Sequence, residues 1–386
     1  RELAVQIDAD AKKFAGPAGV LTALAYGGAP KGPQLSDLRK RPHLLTGTPG
    51  RLNDFIEGRM INLSTVRFLV LDEADRMLDM GFEPDIRKII GGCKETGEPE
   101  EAGGASGAGT KRQTLFFTAT WPKAIQKIAS EFTAKSAIQV RIGQGSEGDK
   151  LTANKMIKQT VEVMDDLQKV GKLKQLMKDE LKEGETCILF AGMKKICDEV
   201  CQELQRANLG IWCKTIHSGK EQWDRDEALS QFRELTKGTG SKRGVLIATD
   251  VASRGLDIPG VAMVVIYDFG RALHSGQNGG AESYVHRIGR TGRAGATGRA
   301  FTFFTRKDCG AWELAELLKG ANQEVPADLL TLADKEWYER SAKDNKKAFF
   351  RPGGGFKGGG KGGKGGGKGG GKGGSSKGGG KGGRGK

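Results

Sequence analysis

The sequence predicts an α/β protein built of two tandem doubly wound parallel sheets, and three observations lead there. Short apolar runs, among them Val66 to Leu71, Cys187 to Ala191 and Gly244 to Asp250, are too short for helices and almost unbroken, as strands buried on both faces of a parallel sheet must be. These runs alternate with helix-length segments, and the alternation occurs twice, on either side of a Gly-, Ser- and charge-rich stretch from Gly143 to Asn154. The runs also end on carboxylates, hydroxyls or glycines, so ligand-binding groups fall at the carboxyl ends of strands, where open α/β sheets hold their ligands.

Taken in order, RELAVQIDADAKKFA reads as an amphipathic helix with Leu3, Ala4, Ile7 and Phe14 on one side. Leu21 to Tyr26 is a strand ending at Gly27-Gly28. His43 to Thr46 is another, followed by the turn Thr48 to Arg51 and a helix through Ile56. Val66 to Leu71 is a strand that stops at Asp72, Glu73 and Asp75, and a helix covers Pro84 to Ile90. Residues 91–112 have the composition of a flexible insertion. Gln113 to Phe117 is a strand capped by Thr118-Ala119-Thr120-Trp121-Pro122 and a helix, and Val140 ends a last strand of this first unit.

In the second unit the expected strands are Ile157 to Val163, Cys187 to Ala191, the WCKTIH segment, Gly244 to Asp250, the VAMVVIYD segment and RAFTFFT. Helices are expected at Val170 to Leu181, Lys194 to Leu204 and Gln222 to Arg233, with a further one carrying YVHRIGRTGRAG. Residues 273–280 form an insertion of small residues. After Leu330 the pattern weakens through a Lys- and Asp-rich segment with the makings of one more helix. From Gly353 the chain is Gly and Lys, too poor in apolar side chains to order itself. The expected division is therefore 1–145, a linker at 146–156, 157–325, and an extension at 326–386.

A length of 386 residues suits two or three domains with proper cores. No apolar run approaches the ~20 residues of a membrane span, and none has the build of a signal peptide, so a soluble intracellular protein is expected, in the nucleus, nucleolus or cytoplasm. Cys93, Cys187, Cys197, Cys201, Cys213 and Cys309 form no CxxC pair, which fits reduced thiols. Cys197 and Cys201 lie one helical turn apart without two further ligands for a metal. Of the net charge of +15, ten units lie from Arg351 onward with no acid among them, leaving +5 on residues 1–350.

The acidic stretch carries the most specific chemistry. An Asp at the end of a buried strand is placed to hold Mg²⁺, and the Glu beside it to orient or deprotonate the water that attacks a γ-phosphate. A solvated acidic turn is the competing reading. The arginines at Arg287, Arg290 and Arg293 alternate with Gly289, Gly292 and Gly295, which suits close backbone approach better than a solvated helix face.

The order RELAVQ, GG, TPGR, DEAD, TAT, QWDR, ATDVASRGLDIP and HRIGRTGR resembles that of the DEAD-box ATP-dependent RNA helicases of superfamily 2, over about residues 1–325. Trp121-Pro122 and LLKGANQEVPADL look like the subgroup acting in ribosome assembly and splicing. The resemblance implies two RecA-like domains, ATP and Mg²⁺ as cofactors, and RNA as partner, read through its backbone with low sequence specificity. It further implies ribonucleoprotein remodelling or local duplex unwinding by a monomer with no membrane association.

Residue by residue, the resemblance assigns Asp72 to Mg²⁺, Glu73 to the attacking water, and Arg290 and Arg293 to the γ-phosphate, a task suited to the fixed charge and planar fork of arginine. Asp75, Thr118, Thr120, His286 and Arg287 would couple ATP to domain closure, and Asp257 would hold the ribose. The family's third motif usually begins with Ser; Thr118 keeps the hydroxyl, with capping of the following helix as its competing role. Arg1, Gly28, Thr48, Gly50, Arg51, Gln222, Arg225 and Thr249 would face RNA. His217, in the loop before QWDR, is expected to be structural.

One departure stands out. The family's adenine-reading Gln motif and its Gly-Lys-Thr loop should precede Arg1, and no GxxxxGK[ST] occurs elsewhere in the chain. The chain is therefore expected to be a fragment that binds ATP poorly by itself. A non-catalytic RNA-annealing or scaffold protein is the alternative from another class, and a DNA helicase a weaker third.

Overall fold

The computed structural model describes residues 1–93, 112–119, 121, 123–141, 153–250, 258–270, 279–293 and 295–349. Expectations for most of the 91–112 insertion, for Thr120, Pro122 and Asp257, for most of the linker, for the insertion of small residues and for the Gly/Lys tail lie outside these. Residues 1–339 form one compact unit, and residues 340–386 are assigned to a second.

Residues 157–304 hold a six-stranded sheet in the order β5-β10-β9-β6-β8-β7, every pair parallel. Its strands are β5 (Ile157–Val163), β6 (Thr186–Phe190), β7 (Ile211–Ile216), β8 (Arg243–Ala248), β9 (Met263–Ile266) and β10 (Gly298–Phe304). The unbroken apolar runs have a direct cause: both faces are covered. Ile188 and Phe190 of β6 join a core roofed by α9 (Gln222–Thr236), α10 (Gly279–Ile288) and α11 (Ala311–Gly320), while Cys187 and Leu189 face α7 (Lys169–Asp179) and α8 (Lys194–Arg206). Each large apolar side chain withdrawn from water contributes about 1.5–3 kcal/mol, so β6, buried at all of its positions, is a central support. A last helix, α12, spans Ala327–Phe349.

The amino-terminal part is built differently from the expected single sheet. Among the described residues β1 (Thr22–Ala25) pairs only with β2 (Leu44–Gly47), and β3 (Phe68–Leu71) only with β4 (Gln113–Phe116), both in parallel. Around them lie α1 (Glu2–Ala15), α2 (Lys31–Arg39), α3 (Pro49–Glu57), α4 (Ala74–Asp79), α5 (Glu83–Gly91) and α6 (Lys123–Phe132). Burial of β3 on both faces is not observed: Leu71 packs with Ala74, Ile86, Ile128 and Phe132, whereas Phe68 and Val70 on the other face are 64% and 52% exposed. An apolar run signals the tendency to be covered, but the cover comes from neighbouring elements.

Three more expectations are corrected. In α1, Glu2, Ala4, Asp8 and Ala15 point inward and Phe14 is exposed, because salt bridges with Lys12 and Arg225 let the two acids occupy the packed side. Val140 is exposed and in no strand, having no ladder partner among the described residues. The helix expected to carry all of YVHRIGRTGRAG ends at Ile288, so Arg290 and Arg293 lie on the loop behind it. Gly292 holds a φ of +63°, and a Cβ there would sit 2.6 Å from Ile157 Cγ1, two reasons for the chain to leave the helix at a glycine. Among the described residues no helix is long and apolar enough to cross a membrane.

Candidate functional site

The acidic turn is shaped by its backbone. Glu73 adopts a left-handed conformation, φ 51° and ψ 44°, which costs a non-glycine residue about 1–2 kcal/mol. Asp72 Oδ1 accepts the Glu73 N–H at 3.0 Å and helps to hold that conformation. Phe117 N donates to Leu71 O at 2.8 Å and Ala74 N to Phe117 O at 3.1 Å, so the end of β4 is tied to the turn and Thr118 is delivered beside it. Asp72 is exposed and Glu73 half-buried, available to a ligand, whereas Asp75 is buried. α6 begins only at Lys123, too far along the chain for Thr118 to cap it.

Across from this turn, His286 Nε2 lies 4.0 Å from Asp75 Oδ2, so α10 reaches the acidic stretch. The three arginines that follow do different things. Arg287 is buried and grips Asp250 with Nε to Oδ1 at 2.7 Å and Nη2 to Oδ2 at 2.6 Å, while Nη1 donates to Asp268 O at 2.8 Å. Burial opposes its charge, and the carboxylates of Asp250, Asp268 and Asp308 together hold its pKa above the ordinary value. Arg287 therefore fixes α10 to the ends of β8 and β9. Arg290 and Arg293 each donate from Nε to a carbonyl one turn back, His286 O at 3.2 Å and Gly289 O at 2.9 Å. These bonds orient side chains that remain half-buried at the surface of the loop.

Most of the residues expected to face RNA gather around Gly27-Gly28-Ala29. Thr48 Oγ1 accepts from Gly27 N at 3.3 Å, and Arg51 Nη2 donates to Ala29 O at 3.0 Å. Gly28 has φ +89°, a backbone that favours glycine, and a Cβ on it would press on Arg1 Nη1 at 2.6 Å and Gln222 Oε1 at 3.3 Å, side chains from the two halves of the chain. Gly50 lies at the start of α3 with open space beside it. Arg51 Nη1 is buried without a hydrogen bond, a donor suited to an oxyanion. Thr249 sits at the carboxyl end of β8, buried, with its N–H on Ile216 O.

Glu2 was missed by sequence reasoning, and it is central. Its carboxylate pairs with the Arg225 guanidinium and accepts from Gln222 Nε2 at 3.2 Å, all three side chains being buried. Gln222 Nε2 also donates to Asp226 at 3.0 Å. The geometry gives Arg225 a positioning role, locking α9 to α1. The available signal was the acid of RELAVQ, but nothing in sequence joins residues more than 220 positions apart. Cutting one partner from a buried pair costs about 3–5 kcal/mol. Arg225→Ala is accordingly expected to lower the stability of the folded unit by about that amount in denaturant unfolding, and Glu2→Ala with Arg225→Ala to recover part of the loss. Strictly additive effects would mean that the pair does not act as a unit.

His217 has the expected structural position. It is buried, its Nδ1 accepts from Gly219 N at 3.2 Å and its Nε2 lies 3.2 Å from both Asp198 oxygens, so Nε2 carries the proton. Among the described residues no group of three or more His, Cys, Asp or Glu side chains is arranged to hold a metal ion.

Comparison with known proteins matches two family models to the chain: DEAD/DEAH box helicase over residues 1–128 and helicase conserved C-terminal domain over residues 168–295. The chain is 45% identical over 336 residues to DEAD-box ATP-dependent RNA helicase 46 of Arabidopsis thaliana, covering 87% of this chain and 46% of that protein. It is 41% identical over 331 residues to ATP-dependent RNA helicase DBP2 of Candida albicans, covering 85% and 52%. The chain thus spans about half the length of the curated relatives it matches. In fold it is similar to S. cerevisiae Dbp5 bound to RNA and ADP BeF3, with a TM-score of 0.64 at 23% identity over 89% of this chain and 78% of that one. It is likewise similar to Mss116p bound to ssRNA and AMP-PNP, with a TM-score of 0.63 at 24% identity over 85% and 63%.

Proposed function

We propose that this chain, which belongs to the DEAD/DEAH box helicase family, provides the hydrolytic and RNA-facing parts of an ATP-dependent RNA helicase that remodels short duplexes or ribonucleoproteins. The observation that carries this reading is the approach of His286 to Asp75, which joins the acidic turn to the arginine loop through one ionisable contact. In this reading residues 1–145 and 157–325 are the two working domains and 146–156 the linker between them.

Asp72 fits a role as Mg²⁺ ligand. It offers an exposed carboxylate at a strand end, and Mg²⁺ usually takes one or two carboxylates together with substrate phosphates and water. When bound, Mg²⁺ supplies charge neutralisation at the β- and γ-phosphate oxygens. Glu73, half-buried beside it, orients the attacking water and takes its proton. Arg290 and Arg293, aimed by their Nε bonds, stabilise the charge on the transferred phosphoryl group. The cluster at Gly27 to Ala29 meets the RNA backbone through amides, Arg51 and the Thr48 hydroxyl.

RNA-stimulated phosphate release tests the proposal. Absence of ATP turnover together with retained RNA annealing would instead identify a scaffold.

The tail adds a separate expectation. Its ten cations from Arg351 to Lys386 have no aromatic neighbour after Phe356 on which bases could stack. Each phosphate neutralised on a single strand adds ~0.7 to the slope of log affinity against log salt, so engagement of half the cations adds about 3–4. Removing everything after Phe350 is expected to lower the slope by that amount; an unchanged slope would leave the tail without an RNA-binding role.

A further inference from the structure

We propose that Cys201 and Cys213 form a peroxide-oxidisable dithiol that closes into a reversible disulfide between α8 and β7. Their sulfur atoms are 3.2 Å apart, the Cys213 S–H donating to Cys201 Sγ. They come from different elements, twelve positions apart in sequence, and the covalent S–S distance of roughly 2.0 Å lies about an ångström inside the present separation. Both residues are buried yet not sealed, at 8% and 7% exposure, so a molecule as small as hydrogen peroxide can arrive through modest fluctuations.

The other described thiols are placed differently. Cys187 and Cys197 are wholly enclosed, and burial pushes both thiols up, that of Cys197 to about 12. Cys93 is half-buried, with its S–H on Ile89 O at 3.4 Å, and Cys309 is exposed.

The hydrogen bond makes the pair asymmetric. Donation from Cys213 holds the Cys201 thiol below its ordinary range against the opposing effect of burial, and Lys220 acts in the same sense while Asp198 opposes it. The Cys213 thiol is pushed up, first by that bond and then by burial. With Cys201 as the attacking sulfur, Cys213 lies within reach as the resolving thiol, and the 3.2 Å contact serves the reverse order equally.

In the first step the Cys201 thiolate attacks one peroxide oxygen. An S–O bond forms, the O–O bond breaks, and hydroxide leaves and takes up a proton as water. In the second step Cys213 sulfur attacks the sulfenic sulfur of Cys201. The S–S bond forms, the S–O bond breaks, and the hydroxyl departs as water with the Cys213 proton. Two thiols lose two electrons in total, and one peroxide is reduced to two waters.

The clamp would act on the RNA-facing side of the chain. Beyond the cysteines the same two elements are joined by Asp198 of α8, which accepts from Thr215 Oγ1 of β7 at 3.0 Å, from Lys220 Nζ at 3.0 Å and from His217. His217 and Lys220 lie in the short loop that leads from β7 to Gln222 at the start of α9. Drawing α8 towards β7 therefore tightens the support of Gln222 and Arg225.

The test uses the full chain with Cys309→Ser, which removes the exposed thiol and with it intermolecular pairing. After reductant is removed, a few equivalents of hydrogen peroxide are added, remaining thiols are alkylated in denaturant, and peptides are mapped without reduction. The expected result is loss of two alkylatable thiols per chain and a Cys201–Cys213 linked peptide that dithiothreitol abolishes. With Cys213→Ser added, Cys201 should stop at the sulfenic acid and be trapped by dimedone. Full alkylation of both residues after peroxide would overturn the proposal, as would linkage of Cys201 to Cys197 instead. The mapping on the parent chain decides even if the serine variant folds poorly.

Discussion

Glu73→Gln is expected to lower RNA-stimulated ATP hydrolysis by about 10²–10⁴-fold, the range for loss of a positioned general base, while RNA affinity stays within about threefold. The substitution keeps side-chain volume and the left-handed backbone at residue 73, and it leaves Asp72, the proposed Mg²⁺ ligand, untouched. The prediction therefore separates proton transfer from binding. A phosphate-release assay gives turnover and an anisotropy titration gives affinity. Turnover within threefold of the parent would remove Glu73 from the chemistry.

The second large effect belongs to the arginine loop. Arg290→Ala with Arg293→Ala is expected to lower turnover by ~10³-fold or more, the usual contribution of arginine fingers in phosphoryl transfer. Lysine at both positions should rescue little, because orientation here comes from Nε donors to His286 O and Gly289 O that lysine lacks. Arg287 is a different case despite its place in the same motif. Its guanidinium is committed to Asp250 and the Asp268 carbonyl, so its replacement should first lower the unfolding midpoint of the folded unit. Equal stability losses from Arg287→Ala and Arg290→Ala would contradict that division of labour.

The second half of the chain was largely legible. β5 was expected at Ile157 to Val163 and is found there, and the remaining strand runs of that sheet were identified to within a few residues. A sheet covered by helices on both faces leaves an uninterrupted apolar signature, and β6 and β9 carry it at every position. The first half was less legible for the same reason. Val66 to Leu71 carries the identical signature, yet one face of β3 is exposed, since composition records what a strand can bury and says nothing about whether a neighbour is there to bury it.

Short-range chemistry could be read from the residues themselves. The carboxylates after β3, the hydroxyl at Thr118 and the alternation of Arg with Gly after His286 each depend on neighbours within a few positions, and spacing along the chain determined them. Which of three adjacent arginines would be buried, and that Glu2 rather than an apolar residue would face inward from α1, only the tertiary structure decided. Arg287 finds Asp250 37 residues away, and Arg225 finds Glu2 across the joint between the two halves. A buried charge is tolerable only beside its partner, and that partner is chosen by packing in three dimensions, where sequence periodicity has no reach.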